Sequence, residues 1–240
     1  MHRRRLGFRL DHIATLRQVR RTLYPEPVMA AAIAETAGVA QIHAHLREDR
    51  RHVQERDLRV LRQIVQTGLH LEMSASQDSI KIAYDVKPDG VTLVPERKDE
   101  RTTERGLDVV HHHDSLQKYV QNLRDGDLPV CVLVDPDLDQ VRGAHRLDAS
   151  AVELHAAKYA DARGEAEKRA ELQRIADAAR AAAKLGMAVS VGHGLSYQNV
   201  SALLPIEEID TYIVGHAVVS QALWTGLDRA LRDMNELLNR

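Results

Sequence analysis

Short apolar runs alternate with helical patterns from one end of this 240-residue chain to the other, and that repeat constrains the fold more than any other feature. Strands are expected at 6–10, 39–45, 69–73, 90–94, 129–134, 151–154, 187–191 and 211–214. Helices are expected between them at 28–37, 57–67, 77–86, 115–123, 138–145, 165–185 and 197–204, with a last helix at 218–238. Strand then helix, repeated about eight times, is the pattern of parallel βαβ units. The expected fold is one (β/α)8 TIM barrel spanning 1–240, a length usual for that architecture, with an open doubly wound sheet as its competitor. Aromatic residues make up only 3% of the chain, so the core rests on Ala, Val, Ile and Leu, which suits helices on a parallel sheet. Gly38, Gly68 and Gly186 each follow a helix and precede a strand, where a left-handed cap belongs. No Gly/Ser-rich or Pro-rich linker interrupts the series. The stretch 95–108 is long and charged for a βα loop, as lids often are.

The bulk numbers close off several functions. A net charge of −2 gives no field that draws nucleic acid or an anionic membrane. No run approaches the roughly 18 apolar residues of a membrane span. The basic opening Arg3, Arg4 and Arg5 is followed by no signal-length apolar stretch and reads as a solvated terminus. Cys131 is the only cysteine, so an internal disulfide and a CxxC metal site are excluded, and it reads as a small core residue. A reducing cytoplasm fits these features.

Nearly every expected strand ends in an ionisable residue: Asp11 and His12, His45 and Arg47, Glu72, Glu96, Asp135, Glu153 and His155, His193, His216. In a barrel these ends meet at one mouth, where barrel enzymes place their chemistry. His43, His45 and Arg47 are spaced by two and share a strand face, as do Glu153 with His155 and Arg9 with Asp11. Such buried groups need partners, because an unpaired buried charge costs several kcal/mol. For His43 alone, a satisfied internal contact is the expected role. Gly192-His-Gly194 and Gly215-His216 follow strands seven and eight, where barrels often bind phosphate with backbone N–H groups. The run His111 to His113 reads as a solvated loop or helix start, and Trp224 as packing in the last helix.

Two rival readings rest on the same residues. His43 and His45 with Glu72, Glu153 and His193 have the composition of a divalent-metal site in a hydrolase. A barrel that senses a sugar phosphate without turnover is the non-enzymatic alternative.

The segments Asp11-His-Ile-Ala-Thr-Leu-Arg17, His45-Leu-Arg-Glu-Asp-Arg-Arg-His52, Leu71-Glu-Met73, Leu93-Val-Pro-Glu96, Thr102-Thr-Glu104, Gly106-Leu-Asp-Val109, Tyr159-Ala-Asp161, Gly192-His-Gly-Leu195 and Gly215-His-Ala217 occur in order along nearly the whole chain. Together they resemble the motifs of the pyridoxine 5′-phosphate synthase family, and the octapeptide from His45 to His52 is highly specific. The resemblance implies condensation of 1-deoxy-D-xylulose 5-phosphate with 3-amino-2-oxopropyl phosphate to pyridoxine 5′-phosphate, inorganic phosphate and water. It makes His45 and Glu72 proton acceptors, His193 a proton donor and Glu153 a stabiliser of the transition state. Asp11, His12, Arg20, Arg47, His52, Thr102, Gly194, Gly215 and His216 would bind the substrates, with Arg9 beside them. It also implies a cytoplasmic homo-octamer that uses neither metal nor organic cofactor. The chain departs from the family at Arg9, His70 and Ser190, where Asn is usual, at His43, where a smaller residue is usual, and at Arg21, where Gly is common. These positions leave open a divergent paralogue acting on a related phosphorylated ketone.

Overall fold

A computed structural model describes residues 4–97, 99–100 and 102–240; Arg3 of the basic opening, and Lys98 and Arg101 of the long loop, lie outside the described residues. Eight parallel strands close into a barrel in chain order. They are β1 (Arg5–Arg9), β2 (Gln41–His45), β3 (Leu69–Met73), β4 (Gly90–Leu93), β5 (Val130–Val134), β6 (Ala151–His155), β7 (Ala188–Gly192) and β8 (Thr211–Val214). β1 completes the ring against β8, with Arg5 opposite Thr211 and Phe8 opposite Val214. Each strand lies within two residues of its expected position. Closure is the finding that decides against the open sheet.

The helices are α1 (Asp11–Arg20), α2 (Pro27–Thr36), α3 (Glu55–Ile64), α4 (Gln77–Val86), α5 (His113–Asp125), α6 (Leu138–Arg146), α7 (Ala157–Asp161), α8 (Glu165–Lys184), α9 (His216–Thr225) and α10 (Leu227–Leu238). Strand alternation sorts the barrel's two faces. Leu6, Phe8, Ile42, Ala44, Leu69, Leu71, Val152 and Leu154 are buried in the apolar core, the arrangement that seats helices on a parallel sheet. The alternate residues, Arg9, His43, Glu72 and Glu153 among them, contact one another across strands inside the ring. A bore filled with charge departs from the branched aliphatic layers usual in this fold.

Four local expectations need correction. The last helix is two, broken at Gly226, whose φ of 81° and ψ of 157° no L-residue adopts readily. The stretch 197–204 keeps only a 3-10 turn at Val200–Leu203. Gly38 and Gly186 have the left-handed φ expected (88° and 81°), whereas Gly68 is not among the positive-φ glycines. Trp224 is 82% exposed and does not pack. α1 and α7 are additional helices that apolar periodicity does not announce. Both begin directly behind a strand end and crowd the mouth with side chains.

Candidate active site

The mouth at the strands' C-terminal ends holds a cavity of about 460 Å³. Arg9, Asp11 and His12 reach it from the end of β1 and the start of α1, His45, Arg47 and His52 from β2 and its loop, and Glu72 from β3. Thr102 comes from the long loop, His193 and Gly194 from behind β7, and Gly215 and His216 from behind β8. Two expected site residues do not line it. Glu153 is fully buried beneath Arg9. Arg20 is exposed at the far end of ten-residue α1, about 13.5 Å from Asp11 by helical rise.

The floor is one charge network. Arg9 Nε donates to Glu72 Oε1 at 2.7 Å, and Nη2 donates to Glu153 Oε1 at 3.0 Å. Nη2 also lies 3.3 Å from His193 Nε2. A guanidinium only donates, so that ring nitrogen accepts and carries no proton. Burial, Arg9 and the neighbouring His155 ring hold the His193 imidazole well below its ordinary range. His155 stacks on it with ring centroids 4.6 Å apart. Although burial opposes ionisation, Arg9 and His43 hold Glu72 well below the usual carboxylate range. Glu153 is pushed upward by burial and by Glu72, against the pull of Arg9. Beneath this layer His43 sits 3.5 Å from Glu72 and stacks on His70, centroids 4.9 Å apart. Burial and His43 push His70 down to about 3.

The walls are set by caps and loops. Asp11 accepts the backbone N–H of His45 at 2.9 Å, and His45 Nε2 meets Glu96 at 3.1 Å. The backbone N–H of Val53 donates to His52 Nδ1 at 2.8 Å, so the proton of the neutral His52 ring resides on Nε2. The long loop is tied down at several points. Arg47 donates to the Arg97 carbonyl and to Glu100, Gly106 donates to Asp135, and the Thr103 carbonyl meets His155. His193 has a φ of 63°, and Gly194 follows at 84°. A left-handed non-glycine residue is the sort of backbone strain that collects at functional sites. A Cβ on Gly192 would lie 2.1 Å from Glu153 Oε1, so only glycine leaves that carboxyl its place. Gly215 caps α9, whose first turn has no side-chain cap and no acidic residue. Its free N–H groups and positive dipole end therefore sit at the cavity wall.

The hydrolase-type metal set is not what forms, because the Arg9 guanidinium lies between Glu72 and Glu153, against His193. Among the described residues, the groups that do approach as metal ligands are Asp11, His45 and His52, with donor atoms within 4.8 Å of one another. Two partners were given no role from sequence. Glu96 orients His45, and His155 flanks His193. Their signals were position at a strand end, the segment Leu93-Val-Pro-Glu96 for Glu96, and the spacing of two from Glu153 for His155.

Fold and site together define a (β/α)8-barrel enzyme whose pocket is furnished with acids, bases and guanidinium groups. The family model for pyridoxal phosphate biosynthesis protein PdxJ matches residues 6–240. The chain is 46% identical over 234 residues to a pyridoxine 5′-phosphate synthase of Desulforapulum autotrophicum, covering 98% of each chain. It is 48% identical over 234 residues to that of Geotalea uraniireducens, again covering 98% of both. A thiamine phosphate pyrophosphorylase from Pyrococcus furiosus shares the fold, with a TM-score of 0.66 at 17% identity over 99% of this chain and 96% of that one. The chain belongs to the pyridoxine 5′-phosphate synthase family.

Proposed function

We propose that this chain, as a single barrel domain, condenses 1-deoxy-D-xylulose 5-phosphate with 3-amino-2-oxopropyl phosphate, releasing pyridoxine 5′-phosphate, inorganic phosphate and water. The observation that carries the reading is the convergence of Glu72, His45 and His193 on one cavity, with Arg9 donating to Glu72 and to His193 Nε2. Imine formation, loss of water and ring closure are successive proton transfers, which bases and imidazoles of this kind serve. Glu72 removes protons as the charged carboxylate. His45, oriented by Glu96, is the second acceptor. His193, whose Nε2 carries no proton at rest, takes up a proton in one step and returns it as donor in the next, and Glu153 stabilises charge next to Arg9. Backbone N–H groups at Gly194, Gly215 and His216 hold phosphate, with His12 and Arg47 nearby. Asp11, His52 and Thr102 complete the substrate contacts, and Arg9 offers Nη1, which donates to no described residue. Thr102 and Thr103 of the long loop line the cavity, where they help keep water from reactive intermediates. The protein works without metal or organic cofactor, in the cytoplasm. Among the described residues no helix is long and apolar enough to cross a membrane.

Assembly into an octamer has a surface to support it. Val19, Leu23, Tyr24 and Met29 at the α1–α2 corner, with Leu223 and Trp224 on α9, are exposed apolar side chains on elements that touch one another. The deciding experiment incubates the protein with both substrates and looks for pyridoxine 5′-phosphate by absorbance and mass. Product that disappears in His45→Ala and Glu72→Gln is expected. A second reading, turnover of a related phosphorylated ketone, is favoured by Arg9 on the cavity floor, and turnover of that ketone in place of 3-amino-2-oxopropyl phosphate would establish it.

A further inference from the structure

The departures at Arg9, His43, His70 and Ser190 are not scattered. Arg9 faces His43 across β1 and β2, His43 faces His70 across β2 and β3, and Ser190 faces Glu153 across β6 and β7. They surround two carboxyl groups, Glu72 and Glu153, that share one cation. Both acids are sequestered from water, at 1% and 0% exposure. Their situations differ. Glu72 meets two Arg9 nitrogens at 2.7 Å, with His43 at 3.5 Å. Glu153 meets one Arg9 nitrogen at 3.0 Å, with His193 Nε2 at 3.5 Å, and its Oε2 has no hydrogen-bond partner among the described residues. A bare carboxylate oxygen enclosed without a donor is far costlier than a hydroxyl there.

We propose that Arg9 divides this pair, holding Glu72 as the charged base and leaving Glu153 protonated, so that a single guanidinium sets acid apart from base on the cavity floor. Arg9 is in this respect a positioning residue, acting through the two carboxyls. The other titratable groups facing them are Asp11 on β1's end, His43 and His45 on β2, His70 on β3, Cys131 on β5, His155 on β6 and His193 behind β7. β4 and β8 present Thr92 and Ile213, which do not titrate. Asp11 stands 4.0 Å from Arg9 Nε and adds negative charge. The His193 nitrogen turned toward Arg9 carries no proton and so adds none. One full positive charge therefore balances Glu72, and a second ionised carboxyl would stand uncompensated. The pushes on the two groups run in opposite directions: Arg9 and His43 draw Glu72 well below its ordinary value against its burial, while burial and Glu72 raise Glu153 from its own. Two acids driven apart by their surroundings is the arrangement that assigns acid and base roles.

The inference rests on the proposed synthase reading for its kinetic consequence but not for its spectroscopic one. Infrared difference spectra of the resting protein at neutral pH should show one protonated side-chain carboxyl, absent in the near-isosteric Glu153→Gln. Arg9→Asn should add a second protonated carboxyl, because Glu72 loses its cation. No such carboxyl in the wild type, or one that survives Glu153→Gln, overturns the proposal. In turnover, the acid limb of kcat/KM should move up by at least about one pH unit in Arg9→Asn and stay nearer its place in Arg9→Lys, which keeps the charge. A limb unmoved in a folded Arg9→Asn protein also overturns it. If the wild type makes no product from the two substrates, the synthase reading falls, and the infrared result still decides this one.

Discussion

Glu72 is held on three sides: by Arg9, by His43 and by the strand that carries it. Glu72→Gln keeps the shape and removes the charge, so kcat should fall by about 10²–10⁴-fold with KM little changed. Steady-state kinetics check this, and a change confined to KM would make Glu72 a binding group instead. Gly192→Ala tests the same floor from behind. Its Cβ would press on Glu153 Oε1, displace the carboxyl from Arg9, and cost about 10²-fold in turnover if the misplacement approaches 1 Å. Most of these side chains were readable in advance, because a polar residue at the end of a buried parallel strand has little reason to be there except the mouth. What sequence did not convey was who holds whom. That Arg9 reaches Glu72 and Glu153, 63 and 144 positions away, depends on closure of the ring and on side-chain length.

At the level of elements, α1 is pinned by an ion pair. Arg17 grips Asp57 of α3 with two bonds, at 2.7 and 2.6 Å, and Asp57 also caps α3 by accepting the Gln54 N–H. Asp57→Ala leaves the Arg17 guanidinium only Glu26 at 3.8 Å and the Gln18 and His52 oxygens, and should cost about 3 kcal/mol, whereas replacing both partners by apolar residues should cost less. Urea unfolding of the two variants measures the difference. The same pair explains why α1 escaped apolar periodicity: its buried positions are Asp11, Ile13, Ala14 and Arg17, half of them charged. The break between α9 and α10 was equally hidden, since both flanks are helical and only Gly226 marks it. Gly226→Ala should destabilise by about 1–3 kcal/mol through backbone strain alone, as nothing lies within 4 Å of the added carbon. Strands were the better forecast because eight parallel runs repeat one signal, whereas each helix end depends on a local cap.

Across the whole molecule, imidazoles dominate the response to pH. His12, His52, His70, His155 and His193 all lie below their ordinary value of 6.5, chiefly through burial. A lowered pKa in the folded state means that the unfolded chain binds more protons as pH falls past 6.5, so stability present above that value is lost below it. Glu153, shifted upward, works in the opposite sense, but it is one group against five. Thermal midpoints should therefore drop between pH 7.5 and pH 5, and a flat profile would show that these rings are more open to water than the structure indicates. The exposed corner of Leu23 and Trp224 carries a separate prediction. Leu23→Glu with Trp224→Glu should reduce the proposed octamer to smaller species by sedimentation while each barrel stays folded.

The plug that Arg9 and the paired His43 and His70 rings form across the bore has a consequence for traffic. Gly7 and Gly90 leave those rings no slack: a carbon added to either would approach an imidazole within 3.0 and 2.8 Å. With side chains packed inside the ring, the cavity opens at the strands' C-terminal ends, and substrate and product share that mouth. If phosphate is held at the glycine turns as proposed, its release crosses the path of the next arriving substrate, so added inorganic phosphate should slow the enzyme by competition with substrate.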